Sequence, residues 1–235
     1  MVKGLYDAGQ HLYQRMRSIQ IVANNLANIN TTGYKREVPF AEIIAKEENQ
    51  FNKQITDFTA GSLVETNNPL DLAITGRGLF MIKTENGVEL TNNGKFSISE
   101  EGFLVNQDGY KVLSKNGEIN INESILESKE PLIVTKNGEI KSGTVIIDQL
   151  MIADVHDQSI LQRKPNQNFS LLTDEIQIAD ENSYEIYQGY IEESNVNPIH
   201  EMQAMIQINK DFEASQKIVG SIDTILSKAQ EIGRV

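Results

Sequence analysis

The 235 residues contain no cysteine and no tryptophan, and tyrosine with phenylalanine brings the aromatic share to only 6%. Structural disulfides, thiolate metal sites and cysteine nucleophiles are thereby excluded. No apolar run approaches the ~18 residues of a membrane span, and the N-terminus lacks the uninterrupted apolar core of a secretory signal. Neither membrane insertion nor a cleaved signal peptide is expected, so any exit from the cytoplasm would read some other signal. Positive charge is also scarce: the formal net charge of −12 argues against general nucleic-acid binding, which needs a concentrated Lys/Arg surface.

Catalytic signatures are missing as well. There is no H-E-x-x-H, Walker A or G-x-S-x-G, and Gly76-Arg77-Gly78 lacks the third glycine of a dinucleotide loop and reads as a strand turn. His11, His156 and His200 fall on unrelated elements, where solvated or packing roles outweigh a ligand role. The carboxylate neighbours Glu100-Glu101 and Glu192-Glu193 would point to opposite faces of a strand, which makes a poor acid/base pair. The sequons at Asn30, Asn122 and Asn168 read as chance matches in an Asn-rich chain. No cofactor, metal or small-molecule substrate is expected, and the chain is not read as an enzyme.

What is present is a composition, 39% hydrophobic and 23% charged, that supports one or two ordinary cores. Charge is uneven: up to Arg36 the basic residues are Lys3, Arg15, Arg17, Lys35 and Arg36 against Asp7 alone, so the acidity lies in the remainder.

From Asn197 to Gly233 the positions Met205, Ile208, Phe212, Ser215, Val219, Ile222, Leu226 and Ala229 alternate gaps of three and four, the seam of a coiled coil. Asn197-Pro198 is a start signal and Gly233 a stop. Such a helix, roughly 55 Å long at 1.5 Å per residue, needs a partner. Lys3 to Ile29 supplies it, with Leu5, Ala8, Leu12, Ile19, Val22, Leu26 and Ile29 on one stripe, Arg15 in the missing seam position and Met16 beside it as an apolar substitute. The seam is thin at Ala8, Arg15, Ser215 and Ala229, so the pair is expected to be marginal alone and firm only when further helices pack on it. Four Asn between Asn24 and Asn30 suit helix propensity badly, and their side chains are expected to bond backbone groups of the same or a neighbouring chain before Thr32-Gly33 turns the chain.

Residues 36–66 read as an extended connector with a short helical piece around Ala41 to Phe51. Beyond it Asn86-Gly87, Asn93-Gly94, Asn116-Gly117, Asn137-Gly138 and Asp108-Gly109 signal hairpins. Short strands are expected over Leu70–Ile74, Leu79–Lys83, Val88–Leu90, Lys95–Ile98, Phe103–Val105, Lys111–Leu113, Leu132–Thr135, Val145–Val155, Phe169–Leu172 and Tyr184–Ile191. The expected fold class is α+β: N- and C-terminal helices (1–35 and 193–235) paired as a coiled-coil-like layer, the connector, and a central all-β domain over 67–192.

At this point a family likeness can be quoted. Ala23-Asn24-Asn25-Leu26-Ala27-Asn28-Ile29-Asn30-Thr31-Thr32-Gly33-Tyr34-Lys35 resembles the N-terminal signature of bacterial flagellar rod and hook proteins. Asn68-Pro69-Leu70-Asp71-Leu72-Ala73-Ile74 with Gly76-Arg77-Gly78-Leu79-Phe80, then Thr91 to Phe96 with Gly102 to Val105, and Gly189 to Asn197 leading into Glu201-Met202 extend it over nearly the whole chain. The pattern is most similar to the distal rod protein and its proximal-rod paralogue, although Asn92-Asn93 stands where an Arg-containing pair is commoner.

The resemblance implies a structural subunit exported by the flagellar type III apparatus. It would polymerise helically into the rod that carries torque to hook and filament. The partners implied are copies of itself and other rod and hook proteins. Leu12, Ile19, Val22, Leu26, Met205, Ile208, Phe212, Val219, Ile222 and Leu226 would then pack the inner layer. Asn24, Asn25, Asn28, Asn30, Gly33 and Tyr34 would form the turn and its intersubunit bonds. The alternatives are a hook or other axial paralogue and, from another class, a rod-associated peptidoglycan-active enzyme.

Overall fold

A computed structural model describes residues 2–39, 55–121, 130–154, 158–172 and 176–232. The helical piece expected around Ala41 to Phe51 and the Gly233 stop both lie outside these residues. In chain order the elements are α1 (Val2–Ala27), β1 (Leu63–Glu65), β2 (Leu72–Gly76), β3 (Leu79–Thr84), β4 (Gly87–Thr91), β5 (Ser97–Ile98), β6 (Leu104–Val105), β7 (Lys111–Ser114) and β8 (Gly117–Glu118). They continue with β9 (Leu132–Val134), β10 (Glu139–Ser142), β11 (Val145–Gln149), β12 (Ile152–Ala153), a 3-10 turn at Gln158–Ile160, β13 (Leu161–Arg163), β14 (Phe169–Leu171), β15 (Tyr184–Gln188), β16 (Tyr190–Glu192) and α2 (Pro198–Ile232). The protein is thus mixed α+β, with two long helices and many short strands.

Two compact units divide the chain. A helical unit comprises Met1–Ile29, Arg36–Asp57 and Val196–Val235; a β unit comprises Asn30–Lys35 and Phe58–Asn195.

In the helical unit, α2 starts where the sequence signals it. Asn197 Oδ1 accepts from the amides of Ile199 (3.0 Å) and His200 (3.2 Å), capping two of the amides that the first turn leaves unpaired. The helices run antiparallel and in contact: Arg15 of α1 meets Asp211 of α2, and ten residues further along α1, Asn25 meets Glu201, ten residues earlier in α2. Arg36, Glu37 and Val38 lie antiparallel to Ile55, Thr56 and Asp57, with Val38 N donating to Ile55 O and Asp57 N to Arg36 O, each at 2.8 Å.

In the β unit, every strand pairing is antiparallel. The largest sheet has the order β13-β14-β4-β3-β7-β6-β5, with β12 also on β3 and β8 on β7; β11-β10-β9, β15-β2 and β1-β16 form smaller sheets. Strand β3, Leu-Phe-Met-Ile-Lys-Thr, explains where the core sits. Its Phe80 and Ile82 point into a large cluster with Leu72, Val112, Ile119, Ile121, Ile140, Leu150 and Ile186, while Leu79 and Met81 enter a second cluster with Leu90, Leu161 and Phe169. A continuous apolar run is needed because both faces of this strand are covered. Phe80 meets Phe96 edge to face, ring centroids 5.1 Å apart.

Four of the five turn dipeptides lie between paired strands, joining β3–β4, β6–β7, β7–β8 and β9–β10. Asn93-Gly94 does not: β5, which follows it, pairs with β6, and Gly94 is there because a Cβ would sit 1.6 Å from Leu72 O. Strands β1, β8, β10 and β13 had no counterpart among the expected segments.

The sheet also carries an acid-sensitive contact. Glu118 on β8 accepts from Lys83 and Lys111, both at 2.8 Å. These bonds, Lys111 first, hold its carboxyl below the ordinary 4.5. A depressed carboxylate stabilises above its unfolded value, and the contribution is lost as pH falls through the folded one. On lowering pH from 6, Glu118→Gln is therefore expected to lose thermal midpoint less steeply than the parent below about pH 4.5; parallel curves would refute this.

Candidate assembly site

Two consecutive basic residues, Lys35 and Arg36, are buried, one in each unit. In the β unit Lys35 Nζ donates to Glu192 Oε1 at 2.7 Å and to Thr59 O at 3.0 Å. The same carboxylate accepts from Gly61 N (2.7 Å) and Asn92 Nδ2 (3.3 Å), so both charges are fully engaged. Gly33 N donates to Glu192 O at 2.7 Å, Asn195 N to Tyr34 O at 3.4 Å, and Arg163 hydrogen-bonds Lys35 O while its guanidinium stacks 4.5 Å from the Tyr34 ring centre. The segment Asn30–Lys35 is thereby embedded in the β unit.

In the helical unit Glu201, with 0% exposure, receives Arg36 Nε on Oε1 at 2.6 Å and Asn25 Nδ2 on Oε2 at 3.1 Å. Asn25 also closes a two-bond clamp on the backbone of Glu37, donating to its carbonyl (2.8 Å) and accepting from its amide (2.9 Å). An amide side chain matches a peptide group in this way, which explains an Asn inside a helix despite its poor propensity.

The residues singled out from the sequence separate into groups. Val22 and Ile208 are buried; Leu12, Ile19, Leu26, Met205, Phe212, Val219 and Ile222 are half-buried; the Leu226 side chain is not among those described. Met16 is not the expected seam substitute but faces outward, because Arg15 keeps the seam position by pairing with Asp211 at 2.7 Å. Asn25, Gly33 and Tyr34 are buried and bonded within their own chain, Asn28 Nδ2 donates to Asn24 O at 2.9 Å, and Asn24 and Asn30 are exposed. Sequence reasoning assigned no role to Arg36, Glu192, Glu201 or Arg163; the only signal was a basic pair at the turn and two acids in the returning segment.

A cavity of about 180 Å³ in the β unit is lined by Lys35, Glu192, Asn92, Arg77 and apolar residues including Leu79. Its acid and base are each other's partners. Gly76-Arg77-Gly78 is the β2–β3 turn, Glu193 is exposed while Glu192 is buried, and His11 and His200 are exposed. Among the described residues no cluster of three or more His, Asp or Glu side chains could hold a metal, and no helix is long and apolar enough to cross a membrane. What the helical unit does present is unpartnered apolar surface: Ile199, Met202, Ile206, Ile218 and Ile225 on α2 and Tyr6, Tyr13 and Met16 on α1 are all at least half exposed.

Three family descriptions match along the chain: "Flagella basal body rod protein" at residues 12–35, "Flagellar hook protein FlgE/F/G D1 domain" at 73–149 and "Flagellar basal body rod FlgEFG protein C-terminal" at 187–232. They place the fold in the class of flagellar rod and hook proteins.

Among curated relatives, the flagellar basal-body rod protein FlgF of Buchnera aphidicola subsp. Schizaphis graminum is 30% identical over 254 residues, covering 100% of this chain and 99% of its own. FlgF of Caulobacter vibrioides is 29% identical (93% of each chain), and the rod protein FlgG of Bacillus subtilis 28% (100% of each). The chain belongs to the flagellar basal-body rod protein family.

Proposed function

We propose that this protein is a structural subunit of the bacterial flagellar basal-body rod, located in the basal body. It polymerises helically with copies of itself and with other rod and hook proteins into the shaft that carries torque. Export proceeds through the flagellar type III apparatus. The observation that carries the reading is the exposed apolar surface of α2, Ile199, Met202 and Ile206 in one patch and Ile218 and Ile225 in another, in a chain whose relatives along its whole length are rod proteins.

A helix with one apolar face against its partner and further apolar patches facing water is built for more neighbours than the monomer supplies. In the polymer the terminal segments, 1–35 and 193–235, form a coiled-coil-like inner layer, 36–66 is the connector and 67–192 the β domain. Leu12, Ile19, Leu26, Met205, Phe212, Val219, Ile222 and Leu226 tighten when other copies pack against the pair. Exposed Asn30, and Asn24 through the side-chain NH2 that its Gln20 contact leaves available, bond across subunits, whereas Asn25, Gly33 and Tyr34 shape the turn that presents them. No step of this role calls for catalysis.

Deleting Val2 to Ala27 tests the proposal and spares the embedded segment Asn30–Lys35. The expected result is loss of axial incorporation and of swimming, with the truncated protein still folded in its β unit by circular dichroism. Basal bodies with normal rods from such a strain would overturn it.

A further inference from the structure

Two hairpin tips in the β unit are near copies of each other: Thr84-Glu85-Asn86-Gly87 joins β3 to β4, and Ser114-Lys115-Asn116-Gly117 joins β7 to β8. In each, the Asn amide donates to the hydroxyl of the residue two before it (3.3 and 3.1 Å), and that hydroxyl lies on the glycine carbonyl (2.9 and 3.0 Å). The glycine φ values are 118° and 122°, all four Asn and Gly residues are exposed, and a Cβ on either glycine would meet nothing within 4 Å. Besides Thr84 against Ser114 and Glu85 against Lys115, the tips differ in what holds the asparagine side chain. Asn116 Nδ2 donates to Asp148 Oδ1 at 3.0 Å, in a carboxylate whose other oxygen takes Ser114 Oγ at 2.7 Å; the Asn86 side chain has no hydrogen-bond partner among the described residues.

Asn-Gly is the dipeptide most open to intramolecular attack on the side-chain amide, since glycine offers no Cβ to obstruct it. We propose that Asn86 is a self-modification site, converting spontaneously to aspartate and isoaspartate, and that Asp148 protects the otherwise equivalent Asn116. The Gly87 backbone nitrogen loses its proton to solvent base and bonds to Asn86 Cγ. The Cγ–NH2 bond breaks, and ammonia leaves with a proton from water. Water then opens the succinimide at either carbonyl, so the net change is one water consumed and one ammonia released, with no redox step.

The attack requires the side chain to rotate over the following amide. Asn86 does this freely; Asn116 must first surrender a charge-assisted hydrogen bond. The remaining two sites are closed differently. Asn93 is held at both ends, by Lys95 N on Oδ1 and by donation to Gln107, ahead of a buried Gly94. At Asn137 the following Gly138 is buried and its amide is held by Thr135 O at 2.9 Å, whereas Gly87 and Gly117, paired with Thr84 and Ser114 at the ends of their ladders, are open to solvent base. The product places a new carboxylate beside Glu85 at the tip of the β3–β4 hairpin, and the isoaspartyl form lengthens the turn by one backbone atom. The inference is independent of the proposed assembly role.

The test is peptide mapping by mass spectrometry of the full-length protein during incubation in warm, mildly alkaline buffer below its melting temperature. Acidic product is expected at Asn86 about tenfold sooner than at Asn116. Asp148→Ala should bring Asn116 up to the Asn86 rate and leave Asn86 itself unchanged, the latter reporting that the sheet is intact. Should the alanine variant melt early, Asp148→Asn keeps an uncharged acceptor and is expected to give an intermediate Asn116 rate. Equal or faster conversion at Asn116 in the parent protein overturns the proposal, as does an Asn116 rate in folded Asp148→Ala no higher than in the parent.

Discussion

Glu201→Ala should destabilise the helical unit by about 3–5 kcal/mol, the usual loss when one partner of a buried ion pair is removed. The loss is measured as an earlier disappearance of the helical circular-dichroism signal on heating. The size follows from what is left behind. Arg36 is only 8% exposed, and its Nε–Glu201 bond of 2.6 Å is replaced by an apolar methyl. Asn25 loses an acceptor at the same time. Because the penalty is a buried guanidinium deprived of the Glu201 carboxylate, the double variant Arg36→Met/Glu201→Leu should recover most of it. Arg15→Ala is the control: its pair with Asp211 is one-third exposed on both sides, where water and salt screen the attraction, and about 1 kcal/mol or less is expected. A Glu201→Ala midpoint indistinguishable from that of Arg15→Ala would sink the assignment.

Gly33→Ala is the second large effect, and it falls in the β unit. At φ 68° a side chain already costs about 1–2 kcal/mol. Here the added Cβ would also lie 2.6 Å from Asn92 C and Asn93 N and 2.7 Å from Asn92 O. These obstacles are backbone and cannot rotate away, so the segment must lift, stretching the Gly33 N to Glu192 O bond and the Lys35–Glu192 pair beyond it. Gly87→Ala, also at positive φ but facing open space, carries the conformational cost alone. The Gly33 variant is expected to melt well below the Gly87 variant; equal melting temperatures would mean that the close approach does not matter.

How much of this was legible depended on how local the cause was. Asn197 caps α2 as the sequence signals, because a cap is satisfied within three residues. Strand β3 was legible from its apolar run, and four turn dipeptides from their glycines, each at positive φ. Strand β10, Glu-Ile-Lys-Ser, was not: only Ile140 and Ser142 face inward, and two charged residues mask an alternation four residues long. Asn93-Gly94 carries the same letters as the hairpin turns but answers to Leu72, some twenty positions away in the chain. Met16 was assigned inward because Arg15 was read as a gap in the seam; the gap closes once Asp211 stands opposite.

The sequence by itself determined the two long helices with their three-and-four spacing and the short strands, which rest on periodicity or on neighbours a few residues apart; the class of protein came from the resemblance of its signature segments to a known family. Only the tertiary structure decided the fate of its charged and amide groups. Lys35 and Arg36 could as well have been a solvated basic tip, and Glu192 and Glu201 part of an acidic surface. Each is buried because its counter-ion arrives from 157 or 165 residues away, and a charge leaves water only when such a partner is already in place. Likewise Asn25, whose amide suits a helix poorly, is held within its own chain by Glu37 and Glu201, while Ile199, Met202 and Ile206 in one patch of α2 and Ile218 and Ile225 in another stay exposed.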